Sequence, residues 1–205
     1  HPRGHFRPEH ASDQQARGER NFRILSEGAS IVAEDLGVIP RFVRDTLARL
    51  ELPGYQVMRW SREDGVYRDP RYYPEVSVVT TGTHDTETLR SWWEHAPPWE
   101  RESVCKTWPE LWRFPSVPSH FVPELHEALL QAALNAQSAT CILPWQDVFA
   151  ESDRINTPGT VNDQNWTYRM RPSVEALLVD PQLHRSTEWI ARLTREGRRT
   201  LTANI

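Results

Sequence analysis

The chain predicts an α/β fold, a parallel sheet covered by helices. Strand-like apolar runs alternate with helical patterns along most of its 205 residues. The best run, VSVVTTG (76–82), is nearly continuous in apolar or β-branched residues, as strands buried on both faces are. An open doubly wound sheet and a (β/α)8 barrel both fit this alternation. No run is followed by the glycine fingerprint of a dinucleotide-binding turn, which weighs against the doubly wound form.

In chain order, a helix is expected over 12–28, opened by a Ser-x-x-Gln capping box in SDQQ and stopped at Gly28. SIVAED (30–35) reads as a short strand that ends in acid, and Gly37 turns the chain. Pro40 opens a helix with Phe42, Val43, Leu47 and Leu50 on one face. YQVMRW (55–60) reads as a strand, with Asp64-Gly65 as a hairpin turn before VYRD. After 76–82 comes a helix in DTETLRSWW, for which Asp85 is a candidate cap. An irregular Pro- and Trp-rich region (97–123) leads to a helix in PELHEALLQAALNAQ. ATCILPW (139–145) is a further buried strand. A long loop (155–170) and two short helices, 174–179 and 187–196, complete the chain.

Composition narrows the function. The chain is 38% hydrophobic and 25% charged, hence globular, and its net charge of −4 argues against nucleic-acid binding. Arg192, Arg195, Arg198 and Arg199 read as a solvated helix face. No apolar run approaches membrane-span length, and the N-terminus lacks the apolar core of a signal peptide. Two cysteines outside any Cys-x-x-Cys pair point to reduced thiols and a cytoplasmic setting. With no initiator Met, the chain reads as cut from a longer one. Pro2, Gly4 and Pro8 deny His1, His5 and His10 a common helical face, so no metal is expected there.

Acidic and amide groups gather just past the ends of three successive strands. These are Glu34 and Asp35, then His84 and Asp85, then Gln146 and Asp147. In parallel α/β folds that rim binds ligands and carries catalysis. Two carboxylates from different strands suit glycosyl transfer. One would be held protonated as acid, and another kept ionised to support an oxocarbenium-like transition state. Asp35, next to Glu34, is expected to bond the local backbone instead.

IVAEDLGVIP, LPGYQVMRW, YPEVSVVTTGTHDTETLRSWW, LPWQDVFA and INTPGTVNDQNW, in that order over roughly residues 4–170, resemble the C-terminal half of 4-alpha-glucanotransferases (amylomaltases, or disproportionating enzymes). The resemblance implies the second half of a (β/α)8 barrel, about strands five to eight, with 1–205 forming part of one domain and the first half outside the chain. It implies transfer of an α-1,4-glucan segment to the 4-hydroxyl of a glucan or glucose acceptor, with retention and without a cofactor. By motif match, Glu34 is the general acid/base and Asp85 the transition-state stabiliser. His84 contacts the donor sugar next to the broken bond, and Asn165 and Trp166 belong to a loop near the site. The family's nucleophile is an Asp with an Arg shortly before it and a His close behind. No such motif occurs here. The isolated chain is therefore expected to be inactive and prone to self-association. The alternatives are an inactive glucan-binding fragment or a related α-glucan hydrolase. Trp92, Trp93, Trp99, Trp108 and Trp112 are candidates for core packing or for glucan subsites. Glu87 stands where many relatives carry a shorter polar residue, and the first turn of the following helix is its expected place.

Overall fold

The computed structural model describes residues 7–197. Helix α1 (Ala11–Ser26) and helix α2 (Arg41–Arg49) come first. Strand β1 (Gly54–Val57) is followed by a small hairpin of β2 (Arg62–Glu63) and β3 (Val66–Tyr67). Strand β4 (Ser77–Thr80) precedes helices α3 (Leu89–His95), α4 (Pro98–Thr107) and α5 (Pro123–Leu134). Strand β5 (Thr140–Cys141) and helix α6 (Trp145–Val148) come next, then α7 (Val174–Val179) and α8 (Pro181–Glu196). His1, His5, Arg198 and Arg199 lie outside the described residues.

β1, β4 and β5 form one parallel sheet with β4 in the middle. Gly54 pairs with Ser77 and Val57 with Thr80, while Val78 and Val79 pair with Thr140 and Cys141. Ala33 adds a single parallel bridge to Gly54. The sheet thus runs in chain order without the reversal that defines a doubly wound sheet. All four residues of β4 are buried, as its continuous apolar run requires.

The strand expected over 30–35 is reduced to that one bridge. The Asp35 side chain explains why: its Oδ1 accepts the Tyr55 N–H at 2.7 Å, so a carboxylate stands where a ladder carbonyl would. Gly54 leaves room for it, since a Cβ there would lie 2.7 Å from that oxygen. The Ser-x-x-Gln box does not form either. His10 occupies the cap position, Ser12 lies inside the helix, and Gln15 reaches across to Thr46. Asp64 and Gly65 do make a hairpin turn, with φ of 50° and 79°. Its first strand is Arg62–Glu63, because the chain turns away from the sheet after Val57.

The main core lies on the α3–α5 side of the sheet. Val79, Met58, Trp92, Trp93, Trp108, the α5 leucines and Leu193 of α8 are buried together. Each large apolar side chain contributes about 1.5–3 kcal/mol. The indole N–H groups are also bonded: Trp92 to Glu100, Trp93 to the Pro118 carbonyl, Trp108 to the Arg68 carbonyl. A smaller cluster of Ala33, Leu47 and Leu52 holds α2 against the sheet edge. Arg192 of α8 pairs with Glu127 of α5 and with Glu196, so part of the basic face binds helix to helix.

His126 of α5 is buried between Phe121 and Trp189, and its Nε2–H donates to the Asp147 carbonyl at 2.6 Å. Burial lowers its proton affinity below the ordinary 6.5, against the pull of that carbonyl. The unfolded chain therefore takes up this proton first. The contribution of neutral His126 is complete above pH 6.5 and is lost as pH falls from there toward the folded value. The apparent melting temperature is expected to drop as pH falls below about 6.5, and to drop less in His126→Gln. Equal drops in thermal scans would sink this assignment.

Candidate functional site

β4 runs straight into a turn built by threonines. The Thr86 N–H donates to the Thr83 carbonyl at 3.2 Å, closing the turn around His84 and Asp85. The Thr86 hydroxyl accepts the Thr83 N–H at 2.9 Å, and Thr83 Oγ1 accepts the Asp85 N–H at 3.2 Å. Gly82 must be glycine, because a Cβ would collide with the Thr86 hydroxyl and crowd the Arg59 guanidinium.

Asp85 does not cap the next helix. Thr88 does, accepting the Ser91 N–H at 3.2 Å. Glu87 accordingly lies before the helix, not in its first turn. Its carbonyl accepts a bond from Arg59 Nη2, and its carboxylate lies 3.6 Å from Arg154 Nη1.

Asp147, buried behind the turn, holds both of its ends. Oδ2 accepts from the Thr81 hydroxyl at 2.5 Å, and Oδ1 accepts the Leu89 N–H at 2.7 Å. Burial raises the Asp147 carboxyl above its ordinary value, while those two bonds and the nearby Arg59 pull it back. Burial likewise lowers Arg59, and the charge of Asp147 opposes that shift. Gln146 is buried beside it.

The segment after α6 packs on the outer side of the turn. The Asn156 N–H donates to the His84 carbonyl at 3.1 Å, and Asn156 Nδ2 donates to Asp85 Oδ1 at 2.6 Å. His84 Nε2 is 3.4 Å from the same oxygen. The Trp166 ring lies against the His84 ring, centroids 5.1 Å apart, and remains 60% exposed. Its backbone has a φ of 65°, a strained value for a bulky residue. The Asn165 amide is committed to its own loop: Oδ1 accepts the Thr157 N–H, and Nδ2 donates to the Thr160 carbonyl.

Glu34, His84 and Asp85 line one open cleft of about 1140 Å³, together with Asp35, Trp60 and Pro158. Glu34 is exposed there, just past the bridge at Ala33. A cleft that carries carboxylates among largely apolar walls can bind hydroxylated ligands and move protons at them. Among the described residues no three His, Cys, Asp or Glu groups gather as a metal site. Cys105 and Cys141 form no disulfide, and no described helix is long and apolar enough to cross a membrane.

Of the five tryptophans that the sequence singles out, Trp92, Trp93 and Trp108 are core, and Trp99 and Trp112 are exposed away from the cleft. Trp60, which sequence reasoning passed over as a strand residue, lines the cleft instead. Its place just past an apolar run was the available signal. Arg154 and Asn156 were missed as well, although Asn156 lies in the INTPGTVNDQNW stretch that carries the family resemblance.

A sequence model of the 4-alpha-glucanotransferase family matches residues 4–175. A 4-alpha-glucanotransferase of Chlamydia pneumoniae is 30% identical over 192 residues, covering 86% of this chain and 35% of its own. A chloroplastic/amyloplastic 4-alpha-glucanotransferase of Oryza sativa subsp. japonica is 34% identical over 170 residues, covering 81% of this chain and 27% of its own. Among solved structures, an amylomaltase from Streptococcus agalactiae in complex with acarbose aligns with a TM-score of 0.65 at 26% identity, over 82% of this chain and 32% of that one. The chain thus spans about a third of the length of these relatives.

Proposed function

The chain belongs to the 4-alpha-glucanotransferase family, and from that premise we propose that it supplies two of three catalytic carboxylates for retaining transfer of α-1,4-glucan segments. The observation that carries this reading is the shared cleft: Glu34, just past the Ala33 bridge, and the His84–Asp85 turn, just past β4, line the same opening. In the first step a carboxylate from a segment outside these 205 residues attacks C1 of the donor glucose. Glu34 gives its proton to the departing glycosidic oxygen, and a covalent glycosyl-enzyme forms. In the second step Glu34 takes the proton of the acceptor's 4-hydroxyl as that oxygen attacks C1, and the bond from C1 to the nucleophilic carboxylate breaks to free it. Asp85 stays ionised and steadies the positive charge that develops at the sugar ring in both steps.

His84 and Trp166 would contact the donor sugar, with the exposed indole as a stacking face. Asn165 would take part by holding the loop that carries Trp166. In-order strand pairing and the fit to amylomaltase structures support a half barrel, strands five to eight, whose exposed edges join the remaining strands. Alone, the chain would self-associate through those edges.

The full-length protein incubated with maltotriose is expected to release glucose and build longer maltodextrins. Glucose and maltose alone would mean hydrolysis. The purified 205-residue chain is expected to do neither, and turnover by it would overturn the external nucleophile.

A further inference from the structure

We propose that the segment 154–156 is a brace for Asp85, and that Asn156 is a positioning residue that acts on glycosyl transfer through that carboxylate. The proposal rests on the reading above, in which Asp85 supports the transition state.

Four contacts join this segment to the turn. Two come from Asn156: N–H to the His84 carbonyl at 3.1 Å, and Nδ2 to Asp85 Oδ1 at 2.6 Å. Two come from Arg154: Nη2 to the Asp85 carbonyl at 2.8 Å, and Nη1 at 3.6 Å from Glu87 Oε1. Arg154 Nε also donates to the Asn156 carbonyl at 3.2 Å, so the arginine ties both halves of the junction. Main chain and side chain of Asp85 are thereby held from one direction.

The chemistry of the contacts matters more than their number. A carboxylate torsion is broad, and a half-exposed Asp would otherwise sample many orientations. The Asn156 amide fixes it with a charge-assisted hydrogen bond. Being neutral, that amide leaves the negative charge of Asp85 intact for the sugar. Both side-chain contacts fall on Oδ1, and among the described residues no hydrogen bond or ion pair falls on Oδ2. The brace does contain a cation, Arg154, whose field would offset Asp85. Glu87 stands against that guanidinium and balances it. This gives a physical reason for a glutamate at position 87.

The test is a double-mutant cycle in the full-length protein, with α-maltosyl fluoride as donor and maltose as acceptor so that slow variants remain measurable. Asn156→Ala is expected to lower kcat about 10- to 100-fold, the worth of one hydrogen bond to a charged group, with KM changed less than about threefold. In an Asp85→Asn background the same substitution is expected to cost less than about twofold. The near-isosteric Asn156→Asp should lose more than Asn156→Ala, because it sets carboxylate against carboxylate. An Asn156→Ala loss that persists undiminished beside Asp85→Asn would overturn the brace, as would a loss confined to KM. An Asn156→Asp no worse than Asn156→Ala would do the same. An Asp85→Asn enzyme with the parent's kcat would instead sink the role of Asp85 itself, so the two failures are distinguishable.

Discussion

Glu34→Gln in the full-length protein is expected to lower transfer from maltotriose about a thousandfold, the middle of the range for loss of a general acid–base group. Gln is nearly isosteric and still hydrogen-bonds, so sugar binding should change little. The loss falls on proton transfer to the glycosidic oxygen. A donor that leaves without a proton escapes it. With α-maltosyl fluoride, Glu34→Gln should still release a stoichiometric burst of fluoride as the glycosyl-enzyme forms. Turnover should then stall, because no base is left for the acceptor's hydroxyl. Loss of the burst as well would show that Glu34 does something other than acid–base chemistry. The neighbouring Asp35 makes a useful contrast. Its carboxylate is engaged by the Tyr55 N–H, so Asp35→Asn should affect the sheet edge before it affects the burst.

Asp147→Ala is expected to cost about 2–6 kcal/mol, since two buried donors lose their acceptor at about 1–3 kcal/mol each. Asp147 is 2% exposed and the nearby Arg59 6% exposed. Removing the acid takes away one of the negative charges that favour the buried Arg59 guanidinium, Glu87 being another. It also releases the Thr81 hydroxyl at one end of the His84–Asp85 turn and the Leu89 N–H at the other. Stability and chemistry should therefore fail together. For a domain of this size the apparent melting temperature should fall by roughly 10 °C. Asp147→Asn should fall less, since an amide oxygen still accepts one of the two bonds. Thermal scans that place Asp147→Ala within about 2 °C of the parent would refute this account of the turn.

Much of the α/β plan is legible residue by residue. The run 76–82 is apolar enough to be read as a buried strand, and β4 is the central one with every residue buried. The helical spacing of Leu125, Leu129 and Ala132 marks α5, and Asp64-Gly65 marks the hairpin. Errors arise where a side chain replaces a backbone partner. Asp35 supplies the acceptor for Tyr55 and thereby shortens the first strand to a bridge. Thr88 outcompetes Asp85 as cap because Asp85 is already bound by the threonine turn and by Asn156. Neither competition has a local sequence signal.

The sequence by itself determined the family, the alternation of strand and helix, and the chemical types of the candidate groups. These depend on residue identity and short spacing, which the linear chain carries in full. The tertiary structure alone decided the partners. It set Asp147 under Thr81 and Leu89, residues 66 and 58 positions away. It brought Asn156 to Asp85 from 71 positions along the chain, and it chose Trp60 over five other tryptophans for the cleft. A hydrogen bond acts over about 3 Å, and only the packing of sheet against helix decides which distant groups come that close.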